Sequence, residues 1–157
     1  MRHGYLLSTL LLIAASAHAG VVINGTRLVY QGDKKESSLG LSNPDTTDYL
    51  VQSWVDSGGK NPAKAPFLIT PPLFRLDAKE DNVLRVVRTG GNLPEDRESL
   101  YWLNIKAIPS SKHVEGMNTL QIAINTRIKL LYRPSAVKGR PEDVADKLEW
   151  HREGNDL

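Results

Sequence analysis

The chain has 157 residues, 24% of them charged, and 20 Lys and Arg against 18 Asp and Glu leave a formal net charge of +2. Charges that nearly cancel and are scattered along the chain give no support for the basic footprint of a nucleic-acid binder or for a groove taking acidic substrates. With no cysteine there is no disulfide framework, so stability must come from a hydrophobic core of ordinary size.

Residues 1–19 read as a secretory signal peptide. Arg2 supplies positive charge, Leu6 to Ala15 an apolar stretch, and Ala17-His18-Ala19 a small-residue cleavage pattern. Cleavage after Ala19 makes Gly20 the new N-terminus. The apolar stretch is shorter than the ~20 residues needed to span a bilayer, and no later segment is long enough either, so the expectation is an exported protein without membrane insertion.

Short β-like runs then recur between turn signals: Val21 to Tyr30, Ser37 to Asn43, Tyr49 to Asp56, Phe67 to Thr70, Asn82 to Thr89 and Ser99 to Ile108, followed by a long final run. Seven strands with regular punctuation predict an all-β sandwich of seven strands. The breaks have local causes, because Gly32-Asp33, Asn43-Pro44-Asp45, Ser57-Gly58-Gly59, Gly90-Gly91-Asn92 and Pro109-Ser110 favour turns over continued pairing. Leu39, Leu41 and Trp54 are expected to face inward from two packed sheets. Thr70-Pro71-Pro72 lacks two donors and predicts an edge or a tight corner, with a cis peptide compatible with it.

The final run, Asn118 to Arg133, alternates over roughly twice the ~5–6 residues of an average strand. Leu120, Ile122, Ile124, Ile128, Leu130 and Tyr132 make an apolar face. Thr119, Gln121, Asn125, Arg127, Lys129 and Arg133 make a polar one. Such a strand must project part of its apolar face and its backbone groups beyond its own sheet, as a rail on which another polypeptide can dock.

After Pro134 the composition changes. Lys138-Gly139-Arg140-Pro141 reads as a linker, and the charged remainder to Leu157 is too short for a second core, so residues 138–157 are expected to be a linker and the truncated start of a further domain. Lys147 to Trp150 is a candidate strand start.

Enzyme chemistry finds little support in these residues. Only His113 and His151 remain after signal removal, far apart in sequence and without cysteine, which leaves no usual zinc or copper ligand spacing and implies no cofactor. Asp96 and Glu98 resemble paired carboxylates, but the arginine between them favours an ion pair over acid/base work. Gly90-Gly91 lacks a phosphate-loop context, and Asn24-Gly25-Thr26 fits a glycosylation pattern too common to carry a role.

The run Leu93-Pro94-Glu95-Asp96-Arg97-Glu98-Ser99-Leu100-Tyr101-Trp102-Leu103-Asn104-Ile105, followed by Ile108-Pro109, closely resembles the signature of periplasmic pilus-assembly chaperones, the immunoglobulin-like chaperones of the chaperone/usher pathway. Ile128-Lys129-Leu130-Leu131-Tyr132-Arg133-Pro134 and Thr26-Arg27 agree with it, in order along the chain. The resemblance covers about Gly20 to Val144 and implies that residues 20–137 are the family's immunoglobulin-like N-terminal domain.

It further implies a periplasmic, non-catalytic protein that binds pilus subunits and hands them to an outer-membrane usher. By position, Leu120, Ile122 and Ile124 match the donor-strand residues that the family inserts into a subunit's groove, with Asn118 at a further, weaker position. Arg27 and Lys129 match the pair that anchors the subunit's terminal carboxylate. Glu98 and Arg133 match two members of an interdomain ion network whose third member lies in the C-terminal domain. The short, cysteine-free segment between Pro109 and Asn118 resembles the branch that mostly assembles rod-type pili. Two other readings stay open: a truncated, non-functional remnant, and a secreted structural or adhesive sandwich whose long strand is satisfied internally.

Overall fold

A computed structural model describes residues 20–59, 64–111, 120–139 and 141–149. The predicted signal peptide, Asn118, His113, His151 and Trp150 lie outside the described residues. Nine strands are described: β1 (Val22–Ile23), β2 (Arg27–Gln31), β3 (Glu36–Ser42), β4 (Tyr49–Asp56), β5 (Phe67–Thr70), β6 (Leu73–Leu76), β7 (Asp81–Arg88), β8 (Ser99–Pro109) and β9 (Ile124–Arg133). They form a four-stranded sheet, β1-β3-β7-β5, packed on a five-stranded sheet, β2-β9-β8-β4-β6. The fold is the expected all-β sandwich.

The strand count differs from seven for two reasons. The run Val21 to Tyr30 divides at Asn24-Gly25, where Gly25 has φ +150 and the Asn24 amide donates to the Gly40 carbonyl at 3.0 Å. The chain thereby leaves the four-stranded sheet after β1 and enters the other as β2. The second addition is β6, which follows Pro71-Pro72 and pairs with β4 from Tyr49↔Leu76 to Gln52↔Leu73.

The proline pair is a corner, as expected. β5 before it is an outer strand of one sheet and β6 after it an outer strand of the other, so neither proline is asked to donate within a ladder. The Thr70-Pro71 peptide is cis. Ser53 receives the corner from inside, donating through its hydroxyl to the Pro71 carbonyl at 3.0 Å and through its amide to the Pro72 carbonyl at 2.9 Å.

Leu39 and Leu41 are buried, with Leu84 and Val86 of β7, Val51 of β4, Leu103 and Ile105 of β8 and Ile128, Leu130 and Tyr132 of β9. Tyr30, Phe67, Tyr101 and Tyr132 add an aromatic cluster with ring centroids 5.1–6.2 Å apart. Trp54 does not face the core. The inward set of β4 is Val51, Ser53 and Val55, so strict alternation turns Trp54 to the outer face, where it is 36% exposed.

Beyond the sandwich, Pro141–Lys147 forms a short 3-10 helix, with Glu142 and Asp143 in its first turn and Lys147 in its last. That order suits the helix dipole, and proline suits the first position. Lys147 therefore ends a helix and does not begin a strand.

Candidate functional site

The site grows out of β9, whose two neighbours end at different places. Antiparallel β8 accompanies it from Ser99↔Tyr132 to Ala107↔Ile124. Parallel β2 covers only Arg27↔Lys129 to Gln31↔Arg133. From Ile124 to Ile128 the edge of β9 that faces the β2 side has no strand beside it among the described residues.

The apolar face continues past the end of the sandwich. Tyr132, Leu130 and Ile128 are buried, and then Ile124 is 52%, Ile122 66% and Leu120 89% exposed. The core side of one strand thus passes from packed to bare along its own length. The sequence expectation of one continuous strand needs correction over residues 120–123, because among the described residues the ladder begins at Ile124. Residues 120–123 have no strand partner on either side, since the β8 ladder stops at Ala107 and β2 does not reach them. The Gln121 side chain still tethers this segment to the Pro109 carbonyl.

Arg27 and Lys129 occupy the last rung of the β2–β9 ladder and lie on the outer face, opposite Leu28 and Leu130 in the core. They line a shallow pocket of about 350 Å³ with Thr26, Trp102, Arg127 and Ile128. Arg127 is the third cation there. Its Nη2 reaches Asp56 Oδ1 at 2.8 Å, and its guanidinium lies over the Trp102 ring at 4.5 Å.

Asp56 also accepts from the Gly58 amide and the Asn104 side chain, both at 2.8 Å. Burial pushes its carboxyl up, but these two donors and Arg127 outweigh burial and hold it below the usual carboxylate range. Asp56 therefore stays charged and keeps Arg127 occupied. Among the described residues no ion pair is made by Arg27 or Lys129.

Sequence reasoning missed Asp56, Trp102, Asn104 and Gly58 at this place, and did not assign Arg127 to it. One signal was present: Arg127 is two residues from Lys129, hence on the same face.

Glu98 and Arg133 meet, with Arg133 Nε 2.5 Å from Glu98 Oε1 and both side chains half-buried. Asp96 turns instead to Arg97 at 3.4 Å, so the two carboxylates do not share a site. Among the described residues no three of His, Cys, Asp and Glu converge as a metal-binding group, and no helix is long and apolar enough to cross a membrane.

Residues 20–138 match the family described as pili and flagellar-assembly chaperone, PapD N-terminal domain. Chaperone protein LpfB of Salmonella typhimurium is 50% identical over 148 residues, which cover 92% of this chain and 63% of that protein. The E. coli chaperone DraB superposes with a TM-score of 0.75 at 47% identity, over 86% of this chain and 64% of DraB. The SafB chaperone of Salmonella enterica, solved in complex with the SafA pilin, gives a TM-score of 0.79 at 45% identity, over 90% of this chain and 67% of SafB. The chain spans less than two thirds of the length of the curated relative LpfB.

Proposed function

The chain belongs to the pili and flagellar-assembly chaperone family that carries the PapD N-terminal domain, and on that premise we propose that it captures a pilus subunit in the periplasm by lending it a strand. The observation that carries this reading is the mismatch of lengths around β9: its parallel neighbour stops at Arg27, while its own edge runs on to Ile124 and exposed apolar side chains continue through Ile122 to Leu120.

An incomplete sheet can complete itself on such an edge, the backbone setting direction and alternate side chains filling pockets; chaperone–pilin pairing is a known case of this mode. Leu120, Ile122 and Ile124 supply the alternate side chains. Their burial contributes roughly 5–9 kcal/mol, at about 1.5–3 each, before association and ordering costs.

Electrostatics choose the direction of the visitor. A strand parallel to β9 on its open edge would lie in line ahead of β2 and bring its C-terminal carboxylate to Arg27 and Lys129. An antiparallel strand would bring an ammonium to the same two cations. The first pairing is attractive and the second repulsive, so the pair sets both orientation and register.

The reading includes export through the signal peptide, with cleavage after Ala19, delivery of the bound subunit to an outer-membrane usher, and no cofactor or covalent step. Glu98 and Arg133 have a structural part in it, tying the start of β8 to the end of the donor strand.

The test is co-expression with a pilus subunit, followed by purification of this chain. A stable complex is expected, and Ile122→Asp should abolish it, because an unpaired carboxylate would enter an apolar groove. Undiminished capture by that variant rejects the donor role.

A further inference from the structure

At the end of the sandwich beside the donor segment, the buried Gly20 nitrogen donates to Asp45 Oδ2 at 2.8 Å. The Tyr49 hydroxyl donates to the same oxygen at 2.7 Å. Asp45 is itself well placed: its amide donates to Asn43 Oδ1 at 3.1 Å, and buried Asn43 donates onward to the Thr47 and Asp77 carbonyls at 2.8 Å. Gly20 has φ +100, a backbone shape that a side chain would strain. Two residues on, β1 pairs Val22 with Ser42 and Ile23 with Leu41.

Gly20, Val21 and Ile23 form one wall of a cavity of about 230 Å³, and Ile122 and Ile124 stand on another. The N-terminal segment thus borders the apolar strip where it leaves the core.

We propose that Asp45 is a receptor for the new N-terminus made by export: hydrolysis of the Ala19–Gly20 bond turns the Gly20 nitrogen into an α-ammonium already seated on this carboxylate, and the ion pair locks β1 beside Ile122 and Ile124. The inference rests on the cleavage position read from the sequence, not on subunit capture. A signal peptidase would use one water. Its hydroxyl goes to the Ala19 carbonyl carbon, a hydrogen goes to the Gly20 nitrogen, and that amine takes up a solvent proton. An α-amine titrates ordinarily near 7.7–8.0, so it is mostly charged at neutral pH.

Cleavage replaces a neutral donor on a carboxylate with a cation on the same carboxylate, and hydrogen bonds with charged partners are roughly twice as strong as neutral ones. Tyr49 keeps its proton and remains a donor to Asp45, because burial, followed by the Asp45 contact, pushes its hydroxyl up to about 12.

N-terminal sequencing of the exported protein should begin at Gly20; any other first residue overturns the proposal. With no cysteine to oxidise, the mature chain can also be made in the cytoplasm, starting at Gly20 or at one added Ala before it. The added residue moves the ammonium ~3.8 Å along the chain. It should lower Tm by about 2–5 °C and speed amide exchange in Val22–Ile23. In an Asp45→Asn background the same addition should move Tm by less than about 1 °C. Equal shifts in both backgrounds, or none in either, overturn the lock. Should Asp45→Asn fail to fold, exchange in the two Asp45 chains decides: unchanged β1 protection overturns the lock, and faster exchange supports it.

Discussion

Arg27 and Lys129 are neighbours on the last rung of the parallel β2–β9 ladder, on one face of adjacent strands ~4.8 Å apart. Like charges placed side by side in a sheet repel, so in the free protein this rung costs stability. On the proposed reading, a carboxylate arriving between them would convert the cost into two charge-assisted hydrogen bonds.

Arg27→Ala and Lys129→Ala should therefore leave Tm unchanged or slightly raised while weakening subunit capture. Charge-assisted bonds of about 1.5–3 kcal/mol translate into roughly 10–150-fold weaker binding for each variant. Thermal melting of the free protein and titration of the complex measure the two effects separately. A variant that loses stability and binding together would make the rung structural.

Asp56 should make part of the stability dependent on acid. Its folded-state pKa lies below the ordinary carboxylate value, so its contribution is present above ~3.9 and is lost as pH falls through the lower folded value. Asp56→Asn should be about 1–2 kcal/mol less stable than the parent at pH 7. Denaturant melts repeated between pH 7 and 2 should show that gap closing from the acid side. A gap independent of pH would mean that the carboxylate charge contributes nothing.

Much of the sandwich was legible because turn residues bracket the runs. Tyr49 to Asp56 and Phe67 to Thr70 were read with the ends they have. What escaped was decided at a distance. Asn24-Gly25 is a turn signal after the unbroken apolar run Val21-Val22-Ile23, but nothing local announces that the two sides of that turn, β1 and β2, belong to different sheets. Trp54 looked like core by bulk, yet Ser53 faces inward because a proline corner from another strand docks on it. The apolar face was visible in the alternation and the pairing of Arg27 with Lys129 was implied by the family resemblance, whereas the Asp56 to Arg127 bond joins residues 71 apart and left only the shared face of Arg127 and Lys129 as a hint.

Asn43 offers a test of such distant bonding. It is 1% exposed, and its side-chain amide reaches carbonyls of Thr47, Leu76 and Asp77 while its oxygen accepts from Asp45. Asn43→Ala would leave the buried Leu76 carbonyl and the part-buried Asp77 carbonyl without this donor and free the loop that holds Asp45. A loss of about 2–3 kcal/mol is expected, because unsatisfied buried groups forfeit their solvation. Urea unfolding measures it. A loss below 0.5 kcal/mol would show that water replaces the side chain.

Gly58 carries the last prediction, through Trp102. With φ +80, Gly58 adopts a conformation that side chains strain, and a Cβ there would stand 2.7 Å from Trp102 Nε1. Gly58→Ala must therefore either distort the turn, weakening the amide donation to Asp56, or push the indole from beneath the Arg127 guanidinium. Either route loosens the shelf beside Arg27 and Lys129, since Asp56, Trp102 and Arg127 hold one another. The strain alone should cost about 1–2 kcal/mol. Displacement of the indole should also change the fluorescence of Trp102, measured with Trp54 and Trp150 replaced by Phe. A variant that loses stability with unchanged Trp102 emission would place the strain in the turn and leave the indole where it is. Unchanged stability and emission together would mean that the turn and the indole accommodate the added carbon freely, contrary to the close approach seen here.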